Sequence, residues 1–302
     1  MPTPAPHRPA AFRKPRLLIV GCGDIGERVL RQLGGRYRVF ALTSQPARRS
    51  TLRSLGATPL LGDLDVPATL GRLAALAPRV LHLAPPPGKG REDPRTAGLL
   101  HALARGGVVE RIVYGSTSGV YGDAQGARID ETRATAPATD RARRRVHAEQ
   151  RLRWYGRAFA ATVTLLRIPG IYAADRPGGA PRERVARGTP LLRGEDDVYT
   201  NHIHADDLAR TCIAALHRGR AQRVVHVSDD TELMMGDYFD LVADLAGLPR
   251  AVRLPACEMR EQSTPMGWSF MSESRRLDNR RLKCELRVVL RYPTVREGLA
   301  GA

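Results

Sequence analysis

Three glycines near the start of the chain have the spacing of a turn that binds a dinucleotide. They occur in Gly21-Cys22-Gly23-Asp24-Ile25-Gly26, a G-x-G-x-x-G pattern. In such a turn the first glycine allows a tight bend, the second lets the backbone approach a pyrophosphate, and the third lets a helix pack on a strand. We therefore predict that Gly21, Gly23, Asp24, Ile25 and Gly26 contact a dinucleotide. The alternative is a glycine-rich turn without a ligand.

The residues after the second apolar run bear on which dinucleotide is bound. In NAD-binding domains an Asp or Glu at this point bonds the ribose 2′-hydroxyl. Here Thr43 and Ser44 occupy the position, and Arg48 and Arg49 follow shortly after. No carboxylate is present to repel a 2′-phosphate, and the two arginines are close enough in sequence to bind a 2′-phosphate. The pattern favours NADP over NAD; the alternative for the two arginines is an exposed start of a helix.

Short apolar runs alternate with amphipathic segments along the chain, which places the glycine turn between a strand and a helix. Strands are predicted at 16–20, 37–42, 58–61, 79–83, 111–114, 162–167 and 223–227, and helices after the glycine turn, through Leu70, Leu73 and Leu76, and at 96–105, 140–155 and 204–218. This alternation predicts an α/β fold, a doubly wound parallel Rossmann sheet with a small discontinuous C-terminal α/β lobe. Ligands of such sheets bind at the carboxyl ends of the strands.

The predicted domains follow from these elements. Residues 1–15 are interpreted as a disordered tail. Residues 16–169 plus 202–230 are predicted to form the NAD(P)-binding domain, and 170–201 plus 231–302 the substrate-binding lobe. The candidate substrate-facing side chains of that lobe are Arg193, Arg260, Met266, Trp268 and Arg275.

Charge and composition limit the choice of partners. The chain has a formal charge of +17, and its 48 basic residues include only three lysines. Because the arginines are spread along the chain, we favour solvated basic faces over a nucleic-acid site. No stretch reaches the roughly 18 apolar residues that a membrane span needs. The four cysteines form no paired motif, which favours a reducing cytoplasm.

Several segments in order resemble the extended short-chain dehydrogenase/reductase superfamily, the NAD(P)-dependent epimerase/dehydratase-like proteins. They are residues 21–26, 62–64, 80–84, 116–123 (Ser-Thr-Ser-Gly-Val-Tyr-Gly-Asp), 166–172, 201–208, 274–279 and 292–293, and the resemblance covers residues 16–300. It implies that Asp63 contacts adenine, that Ala84 lines the cofactor cleft and that Pro169 lies near the nicotinamide, with Leu64 and Pro85 beside them among the cofactor-binding residues. It also implies a homodimer through the helix at 140–155.

The resemblance is incomplete at the residues that carry the chemistry. The family uses a Ser or Thr that orients the substrate, matched by Thr117, and a Tyr-x-x-x-Lys pair. Counting back from Glu149 puts Arg141 at the tyrosine position and Arg145 at the lysine position. A guanidinium with a pKa above about 12 cannot shuttle a proton near neutral pH, although Arg145 can still hold a ribose or phosphate. This departure, together with G-x-G-x-x-G in place of G-x-x-G-x-x-G, indicates an atypical branch.

Two function hypotheses follow. The first is an oxidoreductase or epimerase acting on a small carbonyl or sugar-derived substrate. The second is a catalytically silent protein that senses NADP(H) and signals to a partner. A metal site at His202, His204 and Asp206 is a weaker alternative to packing beside a helix, because no third His or Cys is close in the sequence. We predict no metal.

Overall fold

The computed structural model describes residues 14–176 and 180–300, so most of the predicted tail, residues 1–13, lies outside the described residues. The strands are β1 (Arg16–Val20), β2 (Arg38–Thr43), β3 (Ala57–Leu61), β4 (Arg79–His82), β5 (Arg111–Thr117), β6 (Arg128–Ile129), β7 (Thr162–Ile168), β8 (Gly170–Tyr172), β9 (Leu191–Leu192), β10 (Tyr199–Thr200), β11 (His202–His204), β12 (Arg223–His226), β13 (Leu233–Met234), β14 (Arg253–Leu254) and β15 (Arg276–Leu277). The helices are α1 (Asp24–Leu33), α2 (Arg49–Ser54), α3 (Pro94–Ala104), α4 (Asp140–Ala158), α5 (Pro181–Ala186), α6 (Ala205–Arg218), α7 (Met235–Ala246), α8 (Ala256–Gln262), α9 (Pro265–Met271), α10 (Arg280–Cys284) and α11 (Val295–Leu299).

One parallel sheet organises the molecule. Its seven strands run in the order β12-β7-β5-β4-β1-β2-β3, and every neighbouring pair is parallel. The chain starts in β1, moves outward to β3, and then returns past β1 to β4 and the other half of the sheet. This reversal of direction beside β1 opens a crevice at the carboxyl ends of β1 and β4, where ligands of doubly wound sheets bind. The predicted fold class is confirmed.

The apolar sequence of β1 explains why the sheet has helices on both faces. Leu17 and Ile19 pack into one core with side chains of α1, α6 and α10. Leu18 and Val20 pack into a second core with side chains of α3 and α4. All four are fully buried, and each contributes roughly 1.5–3 kcal/mol by leaving water. A strand buried on both faces needs a continuous apolar run, which is what the sequence provides.

A third apolar core lies among the elements outside the sheet. It joins Val185 of α5 and Leu191 of β9 to Tyr238 and Val242 of α7 and Val295 of α11. The short pairs β9–β14, which is parallel, and β10–β13, which is antiparallel, connect the segment before α6 to the segment after β12. The predicted discontinuous lobe draws on the same two segments, and its residue boundaries stay a prediction.

One predicted helix is wrong. The stretch through Leu70, Leu73 and Leu76 forms a 3₁₀ helix at Pro67–Leu73. Leu70 and Leu73 are buried as their spacing suggests, but Gly71 lies inside the segment and Ala75 adopts φ +55°, which ends it. Within residues 14–176 and 180–300, no helix is both long and apolar enough to cross a membrane.

Candidate cofactor and substrate site

A cavity of about 420 Å³ lies at the carboxyl ends of β1 to β4. We call it the glycine-turn cavity. It collects the residues that follow each of these four strands. Nine of the predicted cofactor-binding residues line it, namely Gly21, Gly23, Thr43, Ser44, Arg48, Asp63, Leu64, Ala84 and Pro85. These nine residues come from motifs that lie as far as 64 residues apart in the chain, and their contact with a cofactor stays a prediction.

The first two glycines of the turn have different geometric roles. Gly21 has φ +83°, and a Cβ there would lie 2.3 Å from the backbone nitrogen of Ala84. Close packing of β1 against the end of β4 therefore requires glycine. A Cβ on Gly23, in contrast, would meet nothing within 4 Å. Because Gly23 has no side chain, the space beside its backbone at the N-terminus of α1 is open. A dinucleotide pyrophosphate needs such a space to approach the backbone N–H groups. The residues present fit such a group.

Asp24, Ile25 and Gly26 begin α1 and do not line the glycine-turn cavity. Gly26 is buried. The carboxylate of Asp24 accepts hydrogen bonds from Arg28 and from Arg176, both at 2.9 Å. Arg28 also donates to Asp175 and Asp206 at 2.6 Å each. Burial acts to lower the pKa of Arg28, but these carboxylates more than offset it, and its pKa is raised. The charge of Asp24 is thus balanced where a pyrophosphate would approach.

Arg48 is held against the glycine turn. Its Nη2 donates to the carbonyl oxygen of Cys22 at 2.8 Å and to Glu27 at 2.6 Å, while Arg49 is exposed. Glu27 was not among the predicted site residues, and it neutralises part of the charge on which the NADP preference was based. Beside the same cavity, Arg95 of α3 donates to both carboxylate oxygens of Asp65, at 2.7 and 2.5 Å. Arg95 also lines the cavity and was missed, since nothing in its sequence position marks it.

A second cavity, of about 480 Å³, lies beyond the carboxyl end of β5. We call it the Thr117 cavity. Thr117, Arg141 and Pro169, which were predicted separately, all line it. The hydroxyl oxygen of Thr117 accepts from the backbone nitrogen of Gly119 at 3.3 Å. The walls come from the segment after β7 and from α4, α5, α7 and α9, so the cavity combines a helix packed on the sheet with helices of the third apolar core.

The two arginines on α4 lie one turn apart and differ in their partners. Arg145 does not line the Thr117 cavity; its Nη1 donates to the phenol oxygen of Tyr114 at 3.0 Å and to the carbonyl oxygen of Gly115 at 2.7 Å. Arg141 does line the cavity, and its Cζ lies 4.8 Å from the ring centroid of Phe270. Among the described residues, Arg141 has no hydrogen-bond or ion-pair partner.

Three tyrosines also line the Thr117 cavity. The phenol of Tyr172 donates to the carbonyl oxygen of Thr294 at 3.3 Å, and the ring of Tyr238 stacks on His202 with centroids 3.9 Å apart. Burial raises the pKa of both phenols, which makes them poor proton donors near neutral pH. Tyr199 is half-buried, and its ring lies against Arg276.

The histidines that suggested a metal site have structural contacts instead. His202 stacks on Tyr238 and is buried. Burial lowers its pKa to about 3. His204 accepts through Nδ1 from the backbone nitrogen of Asp206 at 3.2 Å and so caps α6. Across the part of the chain that the structure describes, no group of three or more His, Cys, Asp or Glu side chains is placed to hold a metal.

Charged residues of the Thr117 cavity were largely missed by the sequence analysis. Of the five candidates in the C-terminal lobe, Arg275 alone lines it; Arg193, Arg260, Met266 and Trp268 do not. Arg176, Arg184 and Arg187 line it and were not predicted. They lie on a turn and a short helix, where neither periodicity nor a motif indicates direction, so only the tertiary arrangement could identify them.

The comparisons with known proteins agree with this geometry. The model of the NAD dependent epimerase/dehydratase family matches residues 17–228. No curated protein matches the chain significantly. Among solved structures, a conserved protein of unknown function from Silicibacter pomeroyi is 30% identical, with 94% of this chain and 96% of that chain covered and a TM-score of 0.79.

Two further solved structures share the fold at lower identity. A dTDP-glucose 4,6-dehydratase from Streptomyces venezuelae, with NAD and TYD bound, is 22% identical, with 94% of each chain covered and a TM-score of 0.76. A UDP-glucose 4-epimerase from Thermotoga maritima, with UDP-glucose, is 20% identical, with 94% of this chain and 96% of that chain covered and a TM-score of 0.77. With its sheet, its glycine turn and the family match over most of its length, this chain belongs to the NAD dependent epimerase/dehydratase family.

Proposed function

We propose that this chain binds NADP(H), and with lower affinity NAD(H), along the carboxyl edge of the sheet, and that it is an oxidoreductase or epimerase for a small carbonyl or sugar-derived substrate. The observation that carries the proposal is the open space at Gly23 in the lining of the glycine-turn cavity, at the carboxyl edge of the sheet where doubly wound folds receive a dinucleotide. The dehydratase from Streptomyces venezuelae, which shares the fold, has NAD bound.

Each half of the dinucleotide has its own set of residues in this proposal. Backbone at Gly21 to Ile25 receives the pyrophosphate, Asp63 and Leu64 receive adenine, and Ala84 and Pro85 line the cleft. Pro169 and Thr117 border the nicotinamide end. When bound, the nicotinamide supplies hydride acceptance or donation. The hydroxyl of Thr117 orients the substrate, and this role is supported by its place in the lining of the cavity that Arg141 also lines.

The preference for NADP rests on the residues after β2. Thr43 and Ser44 present no carboxylate to a 2′-phosphate, and both line the glycine-turn cavity with Arg48. Glu27 balances part of the charge of Arg48, so we expect a modest preference rather than exclusion of NAD. Arg49, exposed on the first turn of α2, is the second cation that could face the phosphate.

Partners and location complete the proposal. We propose a homodimer through α4, whose Trp154 is 56% exposed and packs edge-to-face on Phe159. An exposed tryptophan on a helix is the kind of side chain that interfaces cover. We further propose a small-molecule rather than nucleic-acid partner, and a cytoplasmic location.

The test is calorimetric titration of the full chain with NADPH, NADP, NADH and NAD. We expect binding of all four, tighter for the phosphorylated pair, and loss of that preference in Arg48→Gln. Equal affinities in both proteins would remove the NADP preference. Binding of none of the four would overturn the proposed function itself.

A second candidate function is favoured by one observation, the guanidinium of Arg141 where the family resemblance expects a proton-transferring phenol. A chain that binds NADP(H) without turnover would be a sensor. The two candidates are separated by following the absorbance of reduced nicotinamide with a panel of carbonyl and sugar-nucleotide substrates. Turnover supports the enzyme; binding without turnover, accompanied by a change in oligomeric state, supports the sensor.

A further inference from the structure

Two arginines of the Thr117 cavity lie against aromatic rings instead of carboxylates: Arg141, which is exposed like its neighbour Phe270, and Arg184, which is partly buried. Cζ of Arg141, on α4, lies 4.8 Å from the ring centroid of Phe270 on α9. Cζ of Arg184, on α5, lies 4.4 Å from the ring centroid of Phe239 on α7. All four side chains line the cavity. The two pairs therefore bring guanidinium groups from different elements to one space.

A contact of this kind leaves the hydrogen-bonding edge of the guanidinium available to a ligand. A ring contacts the flat face of the guanidinium, whereas the five N–H donors point outward in its plane. Neither Arg141 nor Arg184 has a hydrogen-bond or ion-pair partner among residues 14–176 and 180–300. The Nε of Arg184 is buried without an acceptor, which is costly unless a ligand supplies one.

The other charges of the cavity do not balance these two arginines. Arg176 is paired with Asp24 at 2.9 Å, and Arg275 with Glu273 at 2.9 Å. Two of the described carboxylates line the cavity, Glu273 and Glu183. Glu273 is neutralised by Arg275, and Glu183 is exposed to solvent. Arg187 adds a further exposed cation. The cavity therefore carries an excess of positive charge that a bound anion would offset.

We propose that the Thr117 cavity binds a substrate carrying an anionic oxygen group, a carboxylate or a phosphate, through Arg141 and Arg184, which both line it. The forked guanidinium edge matches both groups in bidentate geometry. Since Arg141 shares the cavity with Thr117, the anionic group lies at the reacting end of the substrate. The substrate of this chain is an acid at that end, and Arg141 is a binding residue for its charge. That the bound anion is a substrate rests on the proposed function; the anion site itself does not.

The test is titration of the full chain, without dinucleotide, with malonate and separately with inorganic phosphate. Malonamide, which has the shape of malonate without its charge, is the neutral control. The proteins are wild type, Arg141→Gln, Arg184→Gln and Arg151→Gln. Arg151 is exposed on the same helix as Arg141 and lies outside the cavity, so its variant removes an equal charge elsewhere.

We expect at least one of the two anions to bind, with roughly tenfold weaker binding in Arg141→Gln and in Arg184→Gln and less than twofold change in Arg151→Gln. Malonate binding alone identifies a carboxylate, and phosphate binding alone identifies a phosphate. Equal weakening in all three variants would mean general attraction to a basic protein and would overturn the proposal, as would binding of neither anion. Phe270→Leu, which leaves the charge in place but removes the ring, should weaken binding less than Arg141→Gln.

The cofactor titration described above is independent of this one. Anion binding in a chain that binds no dinucleotide would leave the anion site standing and remove the proposed function. Dinucleotide binding in a chain that binds neither anion would leave the proposed function standing and remove the anion site.

Discussion

Arg145 donates a hydrogen bond from Nη1 to the phenol oxygen of Tyr114, 3.0 Å away, and so ties α4 to β5. The same nitrogen donates to the carbonyl oxygen of Gly115 at 2.7 Å. Burial raises the pKa of Tyr114 to about 12, so the phenol is neutral and accepts from the guanidinium. Arg145 is therefore a fixed cation at the position where the family resemblance implies a lysine that holds the cofactor ribose.

The first prediction concerns this cation. We expect Arg145→Met to weaken NADPH binding about tenfold, because the ribose loses a charged donor, and to lower the free energy of unfolding by about 1–2 kcal/mol through two lost hydrogen bonds. Calorimetry and urea unfolding measure the two effects. Arg151→Met is the matched control and should change neither. If Arg145→Met loses stability while its NADPH affinity stays at the wild-type value, Arg145 braces α4 and has no contact with the cofactor.

The second prediction concerns the buried ion pair behind the site. Arg167 donates to the two carboxylate oxygens of Glu149 at 3.1 and 2.7 Å, and Ser116 donates to one of them at 2.6 Å. Both charged side chains are almost fully buried. Glu149→Gln keeps the shape but leaves Arg167 without a countercharge, so we expect a loss of about 3–5 kcal/mol in the free energy of unfolding.

Urea unfolding measures that loss, and a double variant provides its control. In Glu149→Leu with Arg167→Met both charges are removed, and most of the stability should return. A loss in the double variant as large as in Glu149→Gln would mean that packing at these positions, rather than the unpaired charge, determines the stability.

Local patterns in the sequence were sufficient for the sheet and for nine of the residues that line the glycine-turn cavity. The run Leu17 to Val20 has no polar residue and is bounded by a glycine turn, so a strand buried on both faces is the simplest interpretation. The predicted cofactor residues follow successive strands, and parallel strands bring their carboxyl ends to one edge. Counting back from Glu149 aligned Arg141 and Arg145 with the family's tyrosine and lysine positions. In the structure these two arginines lie on the side of α4 that faces β5.

The Thr117 cavity could not be predicted in the same way. Arg184 and Phe239 meet across two helices that are separated by more than 40 residues, and no periodicity links them. The network of Arg28 is similar, since its partners Asp175 and Asp206 lie 147 and 178 residues away. Such contacts depend on how the elements after β7 pack against α1 and α4. The family resemblance gave the position of Arg141, but its ring partner Phe270 came from the structure.

The third prediction is a pH dependence at Asp229. This side chain is buried beside His202, and its Oδ1 accepts from the backbone nitrogen of Thr231 at 3.0 Å. Burial raises its pKa from 3.8 to about 8. Because the folded state holds the proton more tightly than the unfolded state, Asp229 favours folding most at low pH. That contribution is lost as the pH rises from about 4 to about 8.

Asp229→Asn removes the titration and keeps the shape, so it isolates this effect. We expect the free energy of unfolding of Asp229→Asn, relative to wild type, to be higher at about pH 8 than at about pH 5, measured by urea unfolding at both. Asp230→Asn, at a neighbouring exposed carboxylate, is the control and should not show this trend. A difference between Asp229→Asn and wild type that does not change with pH would mean that the Asp229 carboxyl already ionises at low pH in the folded state.

The fourth prediction separates the two glycines at the turn. Gly21→Ala should lower the free energy of unfolding by several kcal/mol, since its Cβ would lie 2.3 Å from the Ala84 backbone nitrogen at a φ of +83°. Gly23→Val should leave stability within about 1 kcal/mol, because nothing lies within 4 Å of the added Cβ, yet it should abolish dinucleotide binding by filling the space that the pyrophosphate needs. Urea unfolding and NADPH titration of both variants measure the two effects. Gly23→Val that folds normally and still binds NADPH with wild-type affinity would mean that the dinucleotide does not cross the glycine turn.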